Sequence, residues 1–153
     1  MAISPYIREL RARVGHSLLV LPSVCVLPWR PDGALLMVEN IETRLWQTIG
    51  GAVEPDEAPE DSAVREALEE AGVVVKIRHL RAVIGGPEFR LTYPNGDVVS
   101  YVTTVYDAEV ISGQPQADGD ETSAVAWWAP DDLPGLPTGP FTRALLRALT
   151  VVA

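Results

Sequence analysis

Residues Gly51–Val73 read GAVEPDEAPEDSAVREALEEAGV. Pro59 and Gly72 bracket a stretch with helical spacing of apolar residues. Proline suits a first helical position and glycine suits the left-handed stop, so a helix is predicted over Pro59–Ala71. Ala58, at its N-cap, cannot accept the usual side-chain hydrogen bond. At about 100° per residue, Ala63, Val64, Ala67, Leu68 and Ala71 fall on one side. Glu66, Glu69 and Glu70 fall on another, so three carboxylates are expected to converge while the alanine-rich face packs on a sheet.

Such crowding has a cost. Like charges at i, i+4 destabilise an isolated helix by roughly 0.2–0.5 kcal/mol. The same residues lie toward the helix C-terminus, where the macrodipole disfavours negative charge. Two local rules are broken together, and such breaches gather at functional sites. A hard divalent cation relieves both, and oxygen ligands favour magnesium, manganese or calcium over zinc. The plain alternative is a solvated acidic face.

Outward from this segment, Leu45–Ile49 is a short predicted strand running into Gly50-Gly51. Leu18–Leu27 reads as a buried strand interrupted by Pro22, which predicts an edge position or a bulge. Pro31-Asp32-Gly33 is a turn leading into a strand at Ala34–Glu39. Beyond the helix, Val73–Ile84, Phe89–Tyr93, Val98–Val110 and Ala124–Ala129 read as strands, and Pro94-Asn95-Gly96-Asp97 as a hairpin turn. Helices are predicted near 4–14, from the apolar spacing of Tyr6, Ile7, Leu10 and Val14, and over 141–151, after a proline- and glycine-rich loop at Pro130–Pro140. The order predicts an α/β fold, a mixed β-sheet between helices in an α/β/α sandwich, forming one domain over 1–153.

The 153 residues and 47% hydrophobic content fit a globular domain with a sizeable core. No apolar run approaches the roughly 20 residues of a membrane span. Met1–Leu10 lacks the apolar segment of a secretory signal. The single cysteine, Cys25, lies in an apolar run; it reads as a buried structural thiol and points to a cytoplasmic setting. A net charge of −9 disfavours polyanion binding, so no nucleic-acid partner is expected. A small phosphorylated ligand remains open, because a bound cation inverts local charge. His16 and His79 are isolated, no Cys/His cluster suggests zinc, and no Walker-type glycine loop is present.

The pattern as a whole resembles the signature of the Nudix hydrolases: Gly51, five residues, Glu57, seven residues, then Arg65-Glu66-Ala67-Leu68-Glu69-Glu70-Ala71-Gly72-Val73. Gly51, Glu57, Arg65, Glu66, Glu69, Glu70 and Gly72 all match. At roughly 5–8% usage per residue type, a random window matches with probability on the order of 10⁻⁸. Ala67 stands where the family prefers a larger aliphatic residue, and Ile49 where proline is frequent. The likeness extends over roughly residues 18–135, through LWQTIGG at Leu45–Gly51 and ETSAVAWWAPDDL at Glu121–Leu133.

The resemblance implies hydrolysis of a diphosphate bond in a nucleoside diphosphate linked to another group, assisted by Mg²⁺ or Mn²⁺. It implies Glu66, Glu70 and the Gly51 carbonyl as metal ligands. Glu69 is the first choice for a further ligand or the general base, with Glu121 as its rival. Arg65 and Glu57 read as an ion pair holding the loop to the helix. Arg44, Trp46, Phe89 and Arg90 are substrate-binding candidates, although aromatic residues on strands more often belong to the core. Gly85–Phe89 is a rim loop whose proline is reminiscent of the family's ADP-ribose-cleaving branch.

Three other readings are open. The fold could serve as a nucleotide sensor without turnover, although a sensor has no need of a costly glutamate cluster. An isomerase acting on an allylic diphosphate would need a reactive thiol, for which Cys25 is the sole candidate. Messenger-RNA decapping fits the chemistry but not the acidic balance. The two flanking helices could cover the sheet or build a homodimer interface.

Overall fold

The computed structural model describes residues 3–151. In chain order the elements are α1 (Pro5–Val14), β1 (Leu19–Pro28), β2 (Leu35–Asn40), β3 (Trp46–Gln47), β4 (Ile49–Ala52) and α2 (Pro59–Ala71). Then come β5 (Val74–Ile84), β6 (Arg90–Thr92), β7 (Val98–Ser112), β8 (Thr122–Trp128) and α3 (Pro140–Ala148). Among the described residues no helix is long and apolar enough to cross a membrane.

The strands form two sheets. The larger is mixed, ordered β4-β1-β7-β5, with β6 on the first part of β7. Its β1–β7 pair is parallel and its other pairs are antiparallel. The smaller is antiparallel, ordered β3-β2-β8. The sequence predicted one sheet. The turn at Pro31–Gly33 does return the chain from β1 to β2, but only an isolated bridge, Trp29 to Leu35, joins them before they diverge.

Strand alternation explains where the core sits. Val24 and Val26 point to one side of β1 and join Ala63, Ala67 and Ala71 of α2. Cys25 and Leu27 point to the other and join Leu145 and Leu146 of α3. The mixed sheet is therefore covered by a helix on each face, which accounts for the apolar run in β1. α1 buries no residue. It is held instead by Arg11, which donates to the carbonyls of Gly15, Ser17 and Val98 and pairs with Asp97.

Pro22 lies in the interior strand β1, not at a sheet edge and with no shift of register. The reason is local. Its carbonyl accepts from the Val53 N–H at 3.2 Å, so its imino nitrogen faces the same side, just past the point where β4 ends at Ala52. The bond that proline cannot donate therefore falls at the end of the β1–β4 pairing, and the β1–β7 ladder runs through Pro22 unbroken. Strand β6 begins at Arg90, because Pro87–Phe89 forms a 3-10 turn. α3 stops at Ala148, and the loop before it contains a second 3-10 segment at Pro130–Gly135.

One polar cluster ties α3 to the sheet. Asp107 of β7, 9% exposed at its side chain, accepts from Trp29 Nε1 at 2.7 Å and from Arg81 Nη1 at 3.1 Å, and faces His79 Nε2 at 2.8 Å. Arg81 also donates to the Leu149 carbonyl, fastening the C-terminal end of α3 to the edge strand β5.

Candidate functional site

The site forms where α2 crosses β4. Ala63, Ala67 and Ala71 are fully buried, and their short side chains let the helix sit close to the sheet. The helix begins at Pro59 with no side-chain cap on Ala58 and ends on Gly72 in the left-handed conformation, φ 68°. Its C-terminus is closed from outside. The Thr122 hydroxyl donates to the Glu70 carbonyl at 2.9 Å, and the Gln116 N–H donates to the Ala71 carbonyl.

The two glycines of β4 have different tasks. A methyl group on Gly50 would overlap the Val24 carbonyl of β1, so this glycine lets two strands pair. A methyl group on Gly51 would overlap the carboxylate of Glu66, so this glycine leaves room for an acid. We expect Gly50→Ala to destabilise the fold by about 1–3 kcal/mol, the usual cost of overpacking, measurable by urea unfolding.

Glu66 and Glu70 are buried, at 8% and 2% exposure. Burial pushes the Glu66 carboxyl above its ordinary range, opposed by the Arg65 charge. Burial pushes Glu70 well above its range, reinforced by the charge of Glu66 and then of Glu121. Glu70 Oε2 has no hydrogen-bond partner. An orphaned buried carboxylate oxygen beside a second buried acid is costly unless something positive fills the space.

Glu69 is not brought into this pair. Its side chain is 57% exposed and one oxygen is held by Arg65 Nη1 at 3.1 Å. The helix explains the split: Glu70 lies about 40° from Glu66 in projection, whereas Glu69 lies about 60° away on the other side. The expected convergence of three acids on one point is thus corrected to two.

Arg65 is the hub of the acidic segment. It donates to both oxygens of Glu57, at 2.8 and 3.0 Å, and to Glu66 Oε1 at 3.0 Å. It also reaches the Ala52 carbonyl and the Ser62 hydroxyl. Glu57 accepts in addition from the Glu54 N–H, and the Arg65 guanidinium holds its carboxyl down at about 2. The loop between β4 and α2 is thereby clamped to the helix.

The substrate-binding candidates are scattered. Phe89 is 3% exposed and packs edge-on against Phe141 at 5.3 Å, so it offers no open face; this expectation is corrected by its burial in the core. Trp46 is half-buried and packs edge-on against Trp128 at 5.0 Å. Arg44, at φ 59°, pairs with Glu39 at 3.1 Å. Arg90 is exposed at the start of β6. Glu121 is half-buried and adjoins Thr122, the residue that ties β8 to the end of α2. Sequence reasoning missed Gly50, Ser62 and Thr122. The Gly-Gly doublet was a signal for the first; a lone hydroxyl gives none for the others.

Among the described residues no three His, Cys, Asp or Glu side chains close on a common point. Two carboxylates, an orphaned oxygen and a backbone approach at Gly51 nevertheless fit a hydrated hard cation, which keeps several waters and needs only one or two carboxylates.

Comparisons with known proteins agree with this geometry. The model of the NUDIX domain family matches residues 20–149. A Bacillus subtilis (strain 168) protein named for 8-oxo-dGTP diphosphatase activity is 32% identical over 100 residues, 65% of this chain and 60% of its own. The NAD-capped RNA hydrolase NudC of Escherichia coli O157:H7 is 32% identical over 121 residues, 77% of this chain and 43% of its own. The chain thus spans about half the length of the curated relatives it matches. The crystal structure of the MutT NUDIX hydrolase from Burkholderia pseudomallei superposes with a TM-score of 0.69 at 28% identity, covering 88% of this chain and 99% of that one.

Proposed function

Because the chain belongs to the NUDIX family, we propose that it is a divalent-cation-dependent hydrolase that splits the diphosphate linkage of a small nucleotide, with Mg²⁺ as the natural ion and Mn²⁺ as a substitute. The observation that carries this reading is the buried Glu66–Glu70 pair with its orphaned oxygen beside Gly51. Glu66, Glu70 and the Gly51 carbonyl would hold the cation. When bound, the cation would neutralise diphosphate charge and polarise the reacting water.

The chain's own residues divide the rest. Arg65 and Glu57 fix the loop against α2, so that Gly51 and Glu66 keep their spacing. Proton removal from the attacking water falls to Glu69 or Glu121. Arg65 engages one oxygen of Glu69, while Glu121 acts electrostatically on Glu70 from the β8 side. Separate Glu69→Gln and Glu121→Gln pH–rate profiles distinguish them: the variant that loses the ascending limb held the base.

The names of the matched relatives point to phosphoanhydride substrates, and that class is carried over here as part of the proposal. The test is product analysis on the purified protein with Mg²⁺ or Mn²⁺, across ADP-ribose, NADH, dinucleoside polyphosphates, nucleotide sugars and ordinary and oxidised nucleoside triphosphates. Cation-dependent release of two phosphorylated fragments supports hydrolysis. Tight binding without product supports the sensor reading.

The thiol-dependent reading has no support in the geometry. Cys25 is 2% exposed, and burial pushes its thiol up to about 12. A neutral buried thiol is a poor nucleophile. We expect Cys25→Ala to keep turnover within about twofold, and the native thiol to resist alkylation at pH 8 until the protein unfolds.

A further inference from the structure

Asp118 lies in the loop between β7 and β8 and orders the turn that follows it. One carboxylate oxygen, Oδ1, accepts from three successive N–H groups, those of Asp120 and Glu121 at 2.8 Å and that of Thr122 at 2.9 Å. The Gly119 N–H donates to the Thr122 carbonyl at 3.0 Å, and the Asp118 N–H donates to the Thr122 hydroxyl at 3.1 Å. The charge on the acceptor strengthens the bonds to Oδ1. On its other side, the Glu121 carbonyl accepts from the Ile41 N–H at 2.9 Å, just past the end of β2. Both backbone polar groups of Glu121 are therefore engaged, which leaves its side chain only rotamer freedom.

The pairing of β2 with β8 aims this turn at α2. Glu39 pairs with Ala124 but Asn40 pairs with Thr122, so the ladder skips Ser123. A bulge of this kind changes the face to which the neighbouring side chains point. Ser123 stays on the Glu39 side and donates to its Oε1 at 2.8 Å. Thr122 turns in, fully buried, and reaches the Glu70 carbonyl. In unbroken register Ser123 would oppose Asn40, and Thr122 would face away from the helix. Half-buried Glu121 thus stands beside the end of α2, close enough for its charge to act on the Glu70 carboxyl. Repulsion from two buried acids favours turning such a glutamate out to water, so its place depends on what holds its backbone.

We infer that Asp118 is a positioning residue for the cation site. By ordering the turn at 118–122 it sets Glu121 as a third negative charge against the Glu66–Glu70 pair. The acidity that α2 does not deliver at Glu69 is supplied from the approach to β8. The inference rests on the proposed binding of a divalent cation by that pair, and Asp118 itself acts only through Glu121.

Mn²⁺ binding to the purified chain, followed by electron paramagnetic resonance of the free ion, reads this without turnover. Asp118→Ala should weaken binding by about tenfold, the lower end of the loss on removing a group that orients the residues of a metal site. Glu121→Gln should weaken it to a similar extent. The double variant should bind no more weakly than Glu121→Gln alone, since one residue acts through the other. Asp118→Asn should keep most of the affinity, because its amide oxygen accepts the same N–H groups. If Asp118→Ala does not fold, Asp118→Ser, whose side chain is too short to span the three donors, takes its place in the cycle. Unchanged Mn²⁺ affinity in folded Asp118→Ala, losses that add in the double variant, or an Asp118→Asn as weak as Asp118→Ala would each overturn this inference alone. A native chain that binds no Mn²⁺ would overturn the cation reading itself, and this inference with it.

Discussion

Glutamine in place of Glu70 is expected to make the cation-free protein more stable while removing cation-dependent turnover. Glu70 is 2% exposed, lies beside Glu66 and has an oxygen with no partner. The neutral amide removes the like-charge repulsion and relieves the desolvation of a buried anion. Single stabilising substitutions contribute about 0.5–2 kcal/mol, or about 2–6 °C in a chain of this size. Turnover should fall by about 10²–10³-fold, the scale of losing one charge-stabilising group.

The pH dependence carries the same signature. Folding raises the Glu70 and Glu66 carboxyls above their ordinary 4.5, so above that pH the folded state holds more protons than the unfolded chain. Stability of the cation-free protein therefore falls as pH rises from about 4.5 through the raised values. Glu70→Gln should flatten that decline, and saturating Mg²⁺ should stabilise the parent at neutral pH but not the variant. Thermal melts from pH 5 to 8, with and without the ion, decide the matter; a parent whose stability rises across this range in chelator would refute the buried-acid account.

Arg65→Ala is expected to destabilise the protein by about 3 kcal/mol, because it strands charges that the guanidinium now neutralises. Arg65 bridges Glu57, Glu66 and Glu69 and is 29% exposed at its side chain, which places the effect at the lower end for a broken buried pair. Lysine should recover only part of the loss, since it cannot fork onto both oxygens of Glu57. The acid limb supplies an independent reading. Glu57 titrates near 2 instead of 4.5, so it contributes stability above 4.5 that is lost as pH falls toward 2. Without Arg65 that slope should disappear from acid-denaturation curves.

Much of this was legible in the chain. The limits of α2 followed from Pro59 and Gly72, because each residue restricts the backbone by itself. The pairing of Arg65 with Glu57 and the approach of Gly51 to the acidic helix were carried by the family signature. Other features depended on through-space neighbours. The hold on Glu69 comes from Arg65, whose guanidinium keeps one of its oxygens on the far side of Glu66 from Glu70. The burial of Phe89 depends on α3, more than fifty residues later, and the interior place of Pro22 depends on where β4 ends. The separation into two sheets is invisible in periodicity, since β1 and β2 look alike as apolar strands and differ only in their hydrogen-bond partners.

The alanines at 63, 67 and 71 set how deep the acidic pair lies. Their methyl groups act as spacers of minimum thickness between helix and sheet. A bulkier residue at 67 would lift α2 as a unit, carrying Glu66 away from Gly51 without altering any polar atom. The reach of the carboxylates is therefore adjustable from behind, by residues that never meet a ligand, and selection on substrate or ion preference has a handle there that leaves the acids themselves untouched.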